Sequence, residues 1–244
     1  MVKFRNFCTK SFALLLIALL LSSCNANINF GNGIEGNGKV TTQTRNTGSF
    51  TKIDANSGLN VIIEQADTFV VEVETDQNLQ AHIITKVENE TLVITTDESI
   101  NATISNIRVK LPSLIDLETS SGASVKTIGV LTGTDINVRA SSGSESNLNL
   151  EFDKISCKTT SGSTLSVRGK ALRLTTNSSS GSSIQARELL ANDLFSESSS
   201  GSSTEVHPII SLNGKASSGS SINYLGIPKT IVKEESSGGS VSKE

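Results

Sequence analysis

A Ser-Gly pair recurs through the second half of the chain at near-constant spacing. Its glycines are Gly122, Gly143, Gly162, Gly181, Gly201, Gly219 and Gly238, separated by 21, 19, 19, 20, 18 and 19 residues. By composition, a stretch such as NSSSGSS at 177–183 is linker material, small and polar. A linker has no reason to keep a period, whereas a stacked repeat must keep one.

Apolar residues keep step with the glycines. Seven positions before each lie Ile115, Ile136, Ile155, Leu174, Leu194, Leu212 and Ile231. Further inward candidates stand five before (Leu117, Val138, Cys157), three after (Val125, Leu165, Ile184) and five after (Leu148, Val167, Val206). These offsets are all odd, and the residues between them are largely polar, which is the period of strands with one face in and one out. A unit of about 19 residues cannot bury its few apolar side chains alone, but stacked units share a continuous core. The expected fold class is therefore all-β: a parallel β-helix over 115–240, with seven Ser-Ser-Gly coils and an internal Ile/Leu ladder. The handedness rule for parallel crossovers favours a right-handed coil. The seven glycines are expected to be structural turns, because Gly enters φ > 0 freely. Cys157 falls in an inward column and reads as a small buried hydrophobe. Lys233 and Glu235 occupy inward columns of the last unit, which reads as a frayed, charged cap.

Residues 39–114 differ. Longer apolar runs such as Leu59–Ile63, Phe69–Val73 and Ile107–Leu111 alternate with turn signals. A packed β-rich N-terminal region is expected there, capping one end of the stack. Ser57-Gly58 reads as a diverged coil, and 78–84 as either a helical turn or a strand.

The first 23 residues read as a lipoprotein signal peptide. Lys3, Arg5 and Lys10 precede a ten-residue apolar run, Phe12 to Leu21, too short to span a membrane. Leu21-Ser22-Ser23-Cys24 resembles a bacterial lipobox, which makes Cys24 the expected lipidation site, bearing diacylglyceryl and palmitate chains. The alternative is an ordinary secretory signal with an incidental Cys. Residues 24–38 then form a Gly/Asn-rich tether. Loss of three basic residues with the signal takes the net charge from −3 to −6, so nucleic acid is not an expected partner. Cys157 is left as the one other mature cysteine, without a disulfide framework or a cysteine metal cluster.

Catalytic and cofactor signals are weak, and no cofactor or metal is expected. Gly31, Gly33 and Gly36 fit G-x-G-x-x-G, but they follow the lipobox and precede a strand-like run, Val40–Thr44, rather than a helix. The two histidines, His82 and His207, stand apart in sequence.

The motif order resembles the head GIN domain family, an auto-transporter adhesin family of Bacteroidetes-type envelope lipoproteins. The carrying residues are Gly36-Asn-Gly-Lys-Val40, Gly48-Ser-Phe50-Thr-Lys-Ile53, Leu59–Ile63, Val71-Glu-Val-Glu74, Thr91-Leu-Val-Ile94 and the Ser-Ser-Gly repeats. The resemblance implies β-helical architecture and a lipoprotein or surface location, and supplies no catalytic residues. The reading that follows is a non-enzymatic, lipid-anchored cell-envelope protein at the outer membrane, adhesin-like or a scaffold, with a protein or glycan ligand. A β-helix polysaccharide lyase or hydrolase is the alternative by fold analogy, its candidate acids being Asp116, Glu118, Glu197 and Glu234. A periplasmic stress or assembly factor is another.

Overall fold

The computed structural model describes residues 33–244. The signal segment and Cys24 lie outside the described residues. The protein is all-β: a β-solenoid of about seven turns with ~19-residue coils follows a nearly closed mixed sheet.

Each coil is built around its Ser-Gly pair. In the coil of Gly122, Asp116–Thr119 runs into the turn and Ser124–Ile128 runs out of it. These two strands do not pair with each other. The first lies parallel between Lys52–Ala55 and Asn137–Ala140, the second between Asn60–Glu64 and Glu145–Asn147. From Glu145 the strands lengthen, and Glu145–Thr159, Thr164–Ser178, Ser183–Ser198 and Ser203–Ala216 stack in parallel register.

The turn itself is more constrained than the sequence implied. Not only Gly but also the Ser before it is left-handed, with Ser φ between 47° and 62° and Gly φ between 68° and 77° in all eight copies, Ser57-Gly58 included. In the Gly122 to Gly238 copies the residue after Gly donates its N–H to the carbonyl three back, as Ser144 does to Ser141 at 3.1 Å. This is the type I′ turn, which ordinarily closes an antiparallel hairpin. Here it is a corner whose strands diverge. The left-handed Ser costs about 1–2 kcal/mol per copy, and its carbonyl is engaged by the neighbouring coil. Each Gly N–H donates to the Ser carbonyl of the next coil, from Gly58 to Ser121 through Gly219 to Ser237, in seven bonds of 3.0–3.2 Å.

Behind the corner the interior is polar. The Ser following Gly is buried in five coils (Ser144, Ser163, Ser182, Ser202, Ser220). Most of these hydroxyls reach the preceding coil's backbone, as Ser144 Oγ does to the Thr119 carbonyl at 2.8 Å. Buried hydroxyls also bond one another. Thr176 Oγ1 donates to Ser196 Oγ at 2.8 Å, and Ser178 Oγ lies 2.8–3.0 Å from the hydroxyls of Ser198, Ser202 and Thr204. Farther from the corner the core is aliphatic, with Ile136, Ile155, Leu174, Leu194 and Leu212 buried as a ladder. The ladder is shorter than expected: Ile115 and Ile231 at its two ends are 42% and 40% exposed. Leu114 is buried next to Ile115, and Ile231 belongs to the last coil, which has no neighbour beyond it.

At the N-terminal end the parallel stack passes into antiparallel strands. Lys52–Ala55 and Asn60–Gln65 pair in parallel with Thr91–Ile94 and Asn106–Leu111. Beyond them Ile83–Glu88, Val70–Thr75 and finally Val40–Arg45 add antiparallel. The 78–84 segment is both of its alternatives in turn, with a 3₁₀ turn at Gln77–Leu79 and the strand beginning at Ile83. At the other end the last coil is ordered strand, Thr230–Glu235 and Ser240–Lys243, not frayed. Its inward charges fold across the open end. Lys233 Nζ donates to the Val241 carbonyl at 2.7 Å and sits 5.0 Å from the Tyr224 ring centroid, while Glu235 accepts the Val241 N–H.

Three variants test this architecture. Gly181→Ala has open space around its Cβ and pays only the left-handed strain, so thermal unfolding should register a loss of about 1–2 kcal/mol. Gly169→Ala, whose Cβ would stand 2.0 Å from the Leu150 carbonyl oxygen, should lose more than about 3 kcal/mol. Replacing both Lys233 and Glu235 by Val should uncover a pairing edge. Light scattering should then show mass rising with concentration, and an unchanged mass would refute the capping role.

Candidate functional site

The Ser-Gly corners stack into an exposed ridge along one edge of the solenoid. All seven predicted turn glycines lie on it, with Gly58 as an eighth. Beside the ridge runs a second line of outward residues, four positions before each Gly: Glu118, Arg139, Lys158, Asn177, Glu197, Lys215 and Glu234. Strand alternation puts them on the outer face, and parallel register puts them in one row.

The two halves of this row differ. Near the mixed sheet, the Arg139 guanidinium grips Asp116 through two bonds (2.7 and 3.0 Å) and Glu118 through two more (3.0 and 3.2 Å). Those acids hold the Arg139 pKa above its ordinary value. Asp54, in register with Glu118, has its pKa raised by burial and then by the Glu118 charge. Here Arg139 is held by its own ion pairs with Asp116 and Glu118.

In the last four coils the row stands apart from the ridge and leaves a polar groove of about 390 Å³. One wall is Asn177, Glu197, Lys215 and Glu234, the other Ser199, Ser217 and Ser236. Lys215 Nζ lies 3.2 Å from Glu234 and 5.9 Å from the Phe195 ring centroid. The side chains there present hydroxyls, an amide, carboxylates and an ammonium, the equipment for hydrogen-bonding a polar ligand laid along the stack. Of the candidate acids, Asp116 and Glu118 are held by Arg139, while Glu197 and Glu234 line the groove. The histidines are elsewhere: His82 Nδ1 is 3.0 Å from Asp97 Oδ1, and His207 Nδ1 is 3.1 Å from the Arg187 carbonyl oxygen. Cys157 is buried, and burial pushes its thiol up to about 12, so it is not poised as a nucleophile. Among the described residues, no cluster of three His, Cys, Asp or Glu could hold a metal.

Sequence reasoning missed the groove. Its signal was present as long polar side chains at one offset facing small ones two positions on. It also missed how the entering chain is held. Ile34–Glu35 pairs with Ile100–Asn101, and Gly36, the last glycine of the nucleotide-loop mimic, packs against a carboxylate. Buried Asp76 accepts the N–H of Gly38 (2.7 Å), the N–H of Thr103 (2.7 Å) and the Thr103 hydroxyl (3.1 Å). A side chain at Gly36 would collide with that carboxylate. Burial pushes the Asp76 pKa up, but the three hydrogen bonds outweigh it and the net shift is downward.

Comparison with known proteins agrees with this architecture. The family model described as "Putative auto-transporter adhesin, head GIN domain" matches residues 49–228. Among solved structures, a "putative adhesin" from Bacteroides fragilis superposes with a TM-score of 0.82 at 20% identity, covering 87% of this chain and 100% of that one. A "putative lipid binding protein" from Parabacteroides distasonis gives 0.72 at 21% identity, over 86% and 99% of the two chains. A "putative adhesin" from Parabacteroides merdae gives 0.71 at 18%, over 86% and 98%. No curated protein matches the chain.

The Asp76 clamp has a defined pH signature. Its folded pKa is depressed, so its stabilisation is present above the unfolded value of about 3.9 and is lost as pH falls through the lower folded value. Asp76→Asn should therefore lower the melting temperature at pH 7 and flatten the acid limb below about pH 4. A melting curve series from pH 7 to pH 2 reads both.

Proposed function

The chain belongs to the head GIN domain family, and from that premise we propose that it is a non-enzymatic binding module of the bacterial cell envelope. In this reading Cys24 carries the lipid that holds it to the outer membrane, and the polar groove beside the ridge holds a ligand outside it. The family's adhesin description supports a binding role and a surface or envelope location. The observation that carries the proposal is the groove bounded by Asn177, Glu197, Lys215 and Glu234. Its walls are fixed by stacked strands rather than by loops, so little ordering entropy is lost when a ligand binds. Its side chains suit a glycan or an extended polar segment of a protein.

The test is binding of the full chain to a panel of immobilised polysaccharides, compared with Ser217→Arg, which fills the groove from its half-exposed wall. Wild-type binding lost in the variant supports the groove. Binding that survives the substitution removes it as the site. Protease shaving of intact cells reads the location independently, since a chain wholly protected from protease cannot adhere to anything outside.

A further inference from the structure

The edge opposite the ridge is aliphatic. Leu172, Leu190, Ile209 and Ile227 recur at intervals of 18, 19 and 18 residues, one per coil, and are 57%, 40%, 42% and 85% exposed. Isolated exposed aliphatics need no explanation, but a periodic row of them does. Between the first three of them lies a shallow trough of about 540 Å³. Ala171, Phe152, Leu172, Leu190 and Ile209 line it, beside the charged pair Lys170 and Glu151. Most of its exposed lining is apolar. It runs from Gly133 to Ile209, four coil steps or ~19 Å at ~4.8 Å per strand. One leaflet's hydrocarbon depth, the length of one acyl chain, is about 15 Å.

Two observations choose among possible occupants. A strip one coil-edge wide and ~19 Å long falls well short of the roughly 800 Å² per partner of a stable protein interface, whereas the trough volume lies in the small-ligand range of about 300–1,000 Å³. The neighbouring cations already have partners, Lys170 at 3.7 Å from Glu151 and Lys154 at 3.2 Å from Asp135, so the edge does not attract a polyanion. We propose that this trough binds a single long acyl chain of a monomeric lipid or fatty acid. The site stands on a different edge from the polar groove and does not depend on it.

The probe is a fluorescent long-chain fatty acid, titrated into the full chain carrying Cys24→Ser so that no attached lipid competes. One saturable site per chain is expected. Leu172→Ser with Leu190→Ser should weaken it by about tenfold or more, with an unchanged circular dichroism spectrum, because both side chains are exposed. Ser217→Arg should leave fatty-acid binding intact, which separates this site from the groove. No saturable binding, or equal binding by the double variant, overturns the proposal. So does flotation with phosphatidylcholine vesicles in the absence of probe binding, which would make the edge a bilayer face. A dimer that the double variant dissociates, without probe binding, would make it a self-association face and equally overturn the proposal.

Discussion

The bond from each Gly N–H to the next coil's Ser carbonyl sets the terms for the rest of the molecule. It forms only if Ser and Gly are both left-handed, a conformation that a lone Ser avoids. The strain is offset only when the coil above repeats it, so every turn depends on its copy. This explains where the period is strict and where it is loose. The intervals vary from 18 to 21 residues, yet the corner keeps its geometry in every copy. Register shifts fall between Ser166 and Gly169, Ala186 and Leu190, and Ala191 and Asp193, all on the side away from the corner. Extra or missing residues are absorbed there.

The corner also explains the unusual interior. A tight turn brings the two strands' inner faces close, and only small side chains fit between them. Ser and Thr supply both small volume and the hydrogen bonds that a buried polar group needs. The Thr176–Ser196 and Ser178–Ser198 contacts therefore run along the stack, as the backbone ladder does. Aliphatic burial and hydroxyl bonding divide the core by distance from the turn.

Much of this was legible in the sequence, and what was not has a physical cause. Odd offsets from the glycines identify the inward columns, because strand alternation is rigid and the repeat supplies seven independent readings. The same columns over-count at Ile115, where Leu114 beside it is the buried residue, and at Ile231, because a column says nothing about whether a further coil exists to cover the last one. The left-handed serines were hidden because general preference assigns φ > 0 to Gly, and only the inter-coil bond makes Ser an exception. The groove and the aliphatic edge lie on outer faces, which alternation marks merely as solvent-facing. The hold on residues 34–38 depends on Asp76, about 40 positions away, and nothing in a Gly/Asn-rich stretch points to it.

The Asp76 clamp gives the molecule a mechanical order. A tensile load arriving from the N-terminal side meets Ile34–Glu35 first, a two-residue pairing, and then the carboxylate that grips Gly38 and Thr103. The mixed sheet and the stack lie behind them. Under pull, the short pairing and the clamp would give way before any coil is drawn out, letting the chain lengthen while the ridge and its groove keep their shape. The entry segment would then work as a shock absorber in series with a rigid body.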